Sequence, residues 1–195
     1  MTRTQLVWVF LLMGILIPAP ATFCQISDAK TNGEIDILTV VPKRWGANTF
    51  FNMDDYLRHG WNVTYTGLTD TVAPCVGFQQ LSGVTDFTVD FLIDDTINPQ
   101  DYDAVIVCPA TSRSGPNPYG TLLESPETLS LLQTAVANNV CVWSTCAGLR
   151  VFAAADIING RNVVGNNRFT DEYAAAGATY LGDDLPPVKD GPVLT

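Results

Sequence analysis

Val140-Cys-Val-Trp-Ser-Thr-Cys-Ala-Gly-Leu-Arg-Val-Phe-Ala-Ala-Ala155 is the stretch whose reading decides the fold. Val140 to Thr145 is a short apolar run rich in β-favouring residues, which predicts a buried strand. From Ala147 the residues turn small and helix-tolerant, and Leu149, Phe152 and Ala153 recur at helical spacing. Cys146 therefore stands where a strand hands over to a helix, with Ala147 and Gly148 supplying the small neighbours that a tight turn needs. A thiol placed there meets the first free N–H groups of the helix, whose partial positive charge favours thiolate. Two readings follow from the stretch itself: a nucleophile on an elbow, or a small core cysteine at a strand end.

Working outward, the chain of 195 residues is 47% hydrophobic and 15% charged, enough for one well-cored domain. Its formal net charge of −10 argues against nucleic acid and against an anionic membrane surface, since both require clustered Lys and Arg. The acids are dispersed along the chain, as on an ordinary solvated surface.

The first 21 residues read as a secretory signal peptide: Arg3 near the start, an apolar run from Leu6 to Ile17, then Pro18-Ala-Pro-Ala21. The run is short for a membrane span. Cleavage after Ala21 satisfies the small-x-small rule, and residues 22–34 then form a polar, flexible leader to a domain over 35–195. An uncleaved anchor and lipid attachment at Cys24 stand as alternatives, the second opposed by the bulk of Phe23. The expected location is secreted or periplasmic, with no membrane association beyond the signal segment.

Five cysteines in an exported chain invite pairing, but the number is odd and the spacings form no dense framework. One free thiol is expected, and Cys146 is the choice. With His59 the single histidine and no tight Cys cluster, no zinc site is expected, and no cofactor is implied. Asn62-Val-Thr64 matches a glycosylation sequon inside a predicted strand.

Ile35 to Val41 is the first strand, closed by Pro42. A helix is expected over about 49–59, with Phe50, Met53, Tyr56 and Leu57 on one face and Gly60 as its stop, before a second strand from Trp61 to Thr66. This β-α-β opening implies parallel strands joined by a right-handed crossover. Phe87 to Ile93 reads as a further strand, and Tyr102 to Cys108 as an interior parallel one. Beyond Pro109, a polar loop from Ala110 to Gly120 leaves the carboxyl end of that strand, where open α/β sheets bind ligands. Ser125-Pro126-Glu127 starts a helix ended by Asn138-Asn139. Short strands at Asn162–Gly165, Ala178–Leu181 and Val193–Leu194, and a helical piece from Thr170 to Ala176, complete the pattern.

Together these pieces resemble the DJ-one/PfpI family of the class I glutamine-amidotransferase-like superfamily, from about Ile35 to the end. The resemblance is carried by Asp103-Ala-Val-Ile-Val-Cys-Pro109, Trp143-Ser-Thr-Cys-Ala-Gly148, Asp156-Ile-Ile-Asn-Gly-Arg-Asn-Val-Val164 and Lys189-Asp-Gly-Pro-Val-Leu-Thr195. It implies an α/β fold, a flavodoxin-like three-layer sandwich with a mostly parallel central sheet and a nucleophile elbow, and homodimers as a common assembly. It implies Cys146 as nucleophile, with Ala110, Thr111, Ala147, Gly148 and Asn48 around an oxyanion or pocket. Asn48 stands where the family usually carries an acid that meets the cysteine. Ala147 and, approximately, Asn166 stand where a histidine is usual. Ala110-Thr111 replaces the usual Gly pair, and the chain stops where the family continues into a final helix, which suggests a fragment.

Two functions follow. One is thiol chemistry on a carbonyl or acyl small molecule, of the glyoxalase, deglycase, hydratase or amidase kind. The other is a non-catalytic ligand-binding or redox-sensing domain, favoured by the missing acid and histidine, since a positioned acid/base contributes about two to four orders of magnitude in rate. Lesser candidates are Asp54, Asp55 and Glu124 as substitute acids, Arg150 as an anion contact or a surface ion pair, Trp45 as a crevice wall or core cap, and His59 as a solvent-facing helix end.

Overall fold

The computed structural model describes residues 35–45, 59–74, 87–110 and 117–195. The signal segment, the leader, the expected helix over 49–59, and Asn48, Asp54, Asp55 and Thr111 lie outside the described residues.

The apolar runs assemble into one seven-stranded sheet. Its members are β1 (Asp36–Val40), β3 (Asn62–Gly67), β6 (Phe91–Leu92), β7 (Ala104–Val107), β8 (Cys141–Ser144), β11 (Lys189–Asp190) and β12 (Val193–Leu194), in the order β11-β12-β8-β7-β1-β3-β6. Every neighbouring pair is parallel except β11 with β12. A rung across the middle aligns Val193, Val142, Val105, Leu38 and Thr64. The first four are essentially sealed from solvent, which is why these strands read as continuous apolar runs. β2 (Arg44–Trp45), β4 (Thr71–Pro74) and β5 (Phe87–Thr88) form a small second sheet, and β9 (Asn162–Val163) pairs with β10 (Thr179–Tyr180).

Helices flank the main sheet: α1 (Gly120–Glu124), α2 (Pro126–Ala137), α3 (Leu149–Ala154) and α4 (Thr170–Ala175). α2 packs on β8 and on α3, and α3 packs in turn on α1 and α4. Ser125 caps α2 as its sequence predicts, its Oγ accepting from the Thr128 amide at 3.1 Å, with Pro126 in the first turn. Asn139, at φ +59°, closes the connection to β8.

One expected element is divided. Phe87 to Ile93 is two short strands in two sheets, β5 against β4 and β6 against β3, because the chain breaks at Val89-Asp90. There the Asp90 carboxylate accepts from the Tyr65 amide at 2.7 Å. A side-chain acceptor has replaced a backbone one, which local alternation does not reveal.

From β1 the sheet grows one way through β3 to β6, then the other way through β7, β8 and β12. The reversal places a switch point between β1 and β7 and opens a crevice at the carboxyl ends of the central strands. Because β7 and β8 are parallel neighbours, Ala110 and Cys146 leave the sheet at the same edge.

Candidate active site

Strand β8 ends at Ser144, and Cys146 follows with φ +56°, a left-handed conformation costing a side-chain-bearing residue roughly 1–2 kcal/mol. Such a bend turns the chain sharply and pushes the side chain outward. The thiol is exposed, whereas Val142 and Ser144 in the strand beneath it are buried. The coil that follows is not α-helical from its first residue: Cys146–Gly148 form a 3-10 turn, with the Gly148 N–H donating to the Thr145 carbonyl at 3.1 Å, and α3 begins at Leu149. Gly148 has an ordinary helical φ of −64°. Space is what it provides, since a Cβ there would lie 2.2 Å from Ser144 Oγ and 3.3 Å from the Val107 carbonyl oxygen.

Three of the predicted backbone donors meet different fates. The Ala110 amide donates to the hydroxyl of Tyr119, which itself donates to the Cys108 carbonyl at 3.0 Å, so it is already committed. Of the two places expected for Ala110, an oxyanion or the pocket, the first would need an N–H that Tyr119 here holds. The Gly148 amide is held in the turn just described. Ala147, the residue after the thiol, is buried in the first turn of the coil. Tyr119 is the residue the sequence did not signal: a fully buried tyrosine in a Pro-Tyr-Gly turn looks like an ordinary loop residue.

Asn166 comes to the sulfur. It arrives on the segment after β9, where its backbone N–H donates to the Cys146 carbonyl at 3.4 Å and its Nδ2 to Cys146 Sγ at 3.6 Å. Its Oδ1 accepts from the Arg168 amide at 3.0 Å, capping the 3-10 turn Asn167–Phe169. Gly165 makes the approach possible, because a Cβ there would lie 2.7 Å from Leu149 Cδ2 and 3.5 Å from the Cys146 carbonyl.

Arg150 does not face the sulfur as a free cation. Its Nε binds Glu172 Oε2 at 2.7 Å and its guanidinium lies 4.3 Å from the Phe169 ring centroid, clamping α3 to α4. Tyr173, on the same helix, is fully buried, and its hydroxyl has no hydrogen-bond partner among the described residues. Burial, then the nearby charges of Cys146, Glu172 and Tyr180, push its phenol well above the usual range, with Arg150 opposing. His59 is exposed and packs obliquely near Trp61, in keeping with a solvent-facing position. Glu124 is exposed at the last position of α1. Among the described residues no group of three or more His, Cys, Asp or Glu could hold a metal ion, and no helix is long and apolar enough to cross a membrane.

The model of the DJ-1/PfpI family matches residues 47–195. No curated protein matches by sequence. Among solved structures, a two-domain protein from Anabaena variabilis containing DJ-1/ThiJ/PfpI-like and ferritin-like domains is 18% identical, with a TM-score of 0.68; the match covers 82% of this chain but 42% of that one. A ThiJ/PfpI domain protein from Brachyspira murdochii is 17% identical with a TM-score of 0.66, covering 83% of this chain and 87% of its own. DJ-1beta of Drosophila melanogaster is 20% identical with a TM-score of 0.63, covering 83% and 80%. At these identities the structures establish the fold, a mostly parallel sheet with flanking helices, while the match over 47–195 extends through the elbow to the last residue: the chain belongs to the DJ-1/PfpI family.

Proposed function

We propose that this protein carries out thiol chemistry on a small carbonyl compound, with Cys146 as the nucleophile, in a fold family that includes cysteine-nucleophile enzymes. The observation that carries the reading is the exposed Cys146 thiol on a left-handed elbow with the Asn166 amide at its sulfur. In the step, the thiolate sulfur forms a bond to the carbonyl carbon. The C=O π pair moves onto oxygen beside the Ala147 amide, and solvent protonates that oxygen to give a hemithioacetal.

Aldehydes and activated ketones suit this site better than amides. Hydrolysing an amide requires a proton for the departing amine, and neither Asn166 nor a backbone amide can release one. The N-terminal signal-like segment adds the proposal that the domain works outside the cytoplasm.

The test mixes the full chain with a panel of aldehydes and follows loss of the carbonyl as the hemithioacetal forms, up to one equivalent per chain. Cys146→Ser should abolish this adduct, and Cys146 should be alkylated by iodoacetamide at neutral pH faster than the same cysteine in the unfolded chain. Unchanged loss of carbonyl in Cys146→Ser, or slower alkylation in the folded protein, removes the nucleophile and leaves the passive binding domain.

A further inference from the structure

Cys146 would ordinarily need a base to take its proton or a cation to hold its thiolate, and the described residues show neither in contact with the sulfur. What they show is an amide whose orientation is fixed. The backbone N–H of Arg168 can only donate, so the side-chain atom of Asn166 facing it must be the oxygen. The other end of the planar amide, the NH2, then has to point at Cys146 Sγ. A second bond, from the Asn166 backbone N–H to the Cys146 carbonyl, ties the same residue to the elbow itself. The residue is therefore held at three points, two of them through its side chain, and only its donor face is presented to the thiol.

We propose that Asn166 activates Cys146 by hydrogen-bond donation alone: it stabilises the thiolate and has no capacity to accept the thiol's proton, which leaves to solvent. The assignment rests on Cys146 being the nucleophile of the reaction proposed above. An uncharged donor stabilises an anion because its N–H dipole interacts more favourably with S⁻ than with S–H, and bonds to charged groups are about twice as strong as neutral ones. The other charged or titratable groups around the elbow are Arg150 on α3, Arg168 in the 3-10 turn, Glu172 and Tyr173 on α4, and Tyr180 on β10. Arg150 and Glu172 neutralise each other, and the Tyr180 hydroxyl is engaged at the Gly165 carbonyl.

The arrangement predicts different outcomes for two variants that both preserve the turn. Asn166→Asp keeps the oxygen that accepts from Arg168 but replaces the NH2 with an anionic oxygen facing the sulfur. Asn166→Ser keeps a hydroxyl able to cap the turn but is too short to reach the sulfur. Alkylation of Cys146 by iodoacetamide is followed against pH in the full chain, with near-UV circular dichroism as the check on folding. Asn166→Asp should slow alkylation at neutral pH about ten-fold and move the midpoint of the pH–rate curve upward, and added salt should restore part of the loss by screening the like charge. Asn166→Ser should fall between wild type and Asp and show no salt rescue.

A loosened loop would slow or speed both variants alike and would not respond to salt in one of them. Wild-type alkylation rate and midpoint in folded Asn166→Asp overturn the assignment; should that variant not fold, the same result in Asn166→Ser does so. Fast, Asn166-dependent alkylation in a protein that consumes no aldehyde overturns the proposed reaction and leaves the role of Asn166 standing.

Discussion

Gly148 and Ser144 offer a test of how closely the elbow coil is fitted to the strand it leaves. Gly148→Ala would place a methyl 2.2 Å from Ser144 Oγ, so one of the two must move. Both are buried among close-packed neighbours, and overpacking of this kind costs about 1–3 kcal/mol. Ser144 is itself unusual: its hydroxyl is 1% exposed at the residue level and has no hydrogen-bond partner among the described residues. Removing an unsatisfied buried hydroxyl recovers part of its desolvation cost, so Ser144→Ala alone should stabilise by about 1 kcal/mol. In the double variant the 2.2 Å conflict disappears. What remains is a 3.3 Å approach to the Val107 carbonyl, set against the gain of about 1 kcal/mol for Ala over Gly at a helical φ.

The double variant should then be at least as stable as wild type, with a coupling between the sites of about 1–3 kcal/mol in its favour. Urea unfolding of all four proteins measures this directly, provided the slopes agree. Additivity within about 0.5 kcal/mol would refute the reasoning, because it would mean that the glycine is not there to clear the serine.

The described cysteines should differ in reactivity. Cys108 is 1% exposed and burial pushes its thiol well above the usual range, so in the native protein iodoacetamide should label Cys146 and spare Cys108, with Cys108 reacting only on unfolding, as peptide mapping would show. Labelling of Cys108 at the rate of Cys146 would contradict the described core. Tyr173 should govern part of the alkaline limb of stability. Its folded-state pKa is raised, so its contribution is intact below the unfolded value of about 10 and is lost as pH rises beyond it. Tyr173→Phe should flatten that limb and leave neutral-pH stability unchanged or higher, measured as urea midpoints between pH 8 and pH 11 (roughly the range spanning the tyrosine titration). An equally steep limb in the variant would assign it to other groups.

How far the sequence carried this depends on whether the decisive partner was local. The interior strands were legible because burial on both faces removes polar residues from them, as at Val105 to Val107. The α2 start was legible because Ser125 and the amide it caps lie three residues apart. The elbow was legible because Cys146, Ala147 and Gly148 are contiguous, and Asn166 was placed only through the family resemblance. The rest turned on pairings distant in sequence. Tyr119 occupies the Ala110 amide from nine residues away, Asp90 divides a strand by bonding Tyr65, and Glu172 claims Arg150 across 22 residues. No periodicity or spacing encodes such partners, because the tertiary arrangement brings them together.

The tyrosine that grips the end of β7 has a practical consequence. Its hydroxyl fastens Ala110 and Cys108 on either side of Pro109, while its own N–H reaches Asn117 Oδ1 at 3.1 Å. One side chain and its backbone thus tie the residues that leave β7 to those that open α1. Tyr119→Phe would therefore release the Ala110 amide and the Cys108 carbonyl together, loosening the exit of β7 and the entry of α1 in a single substitution.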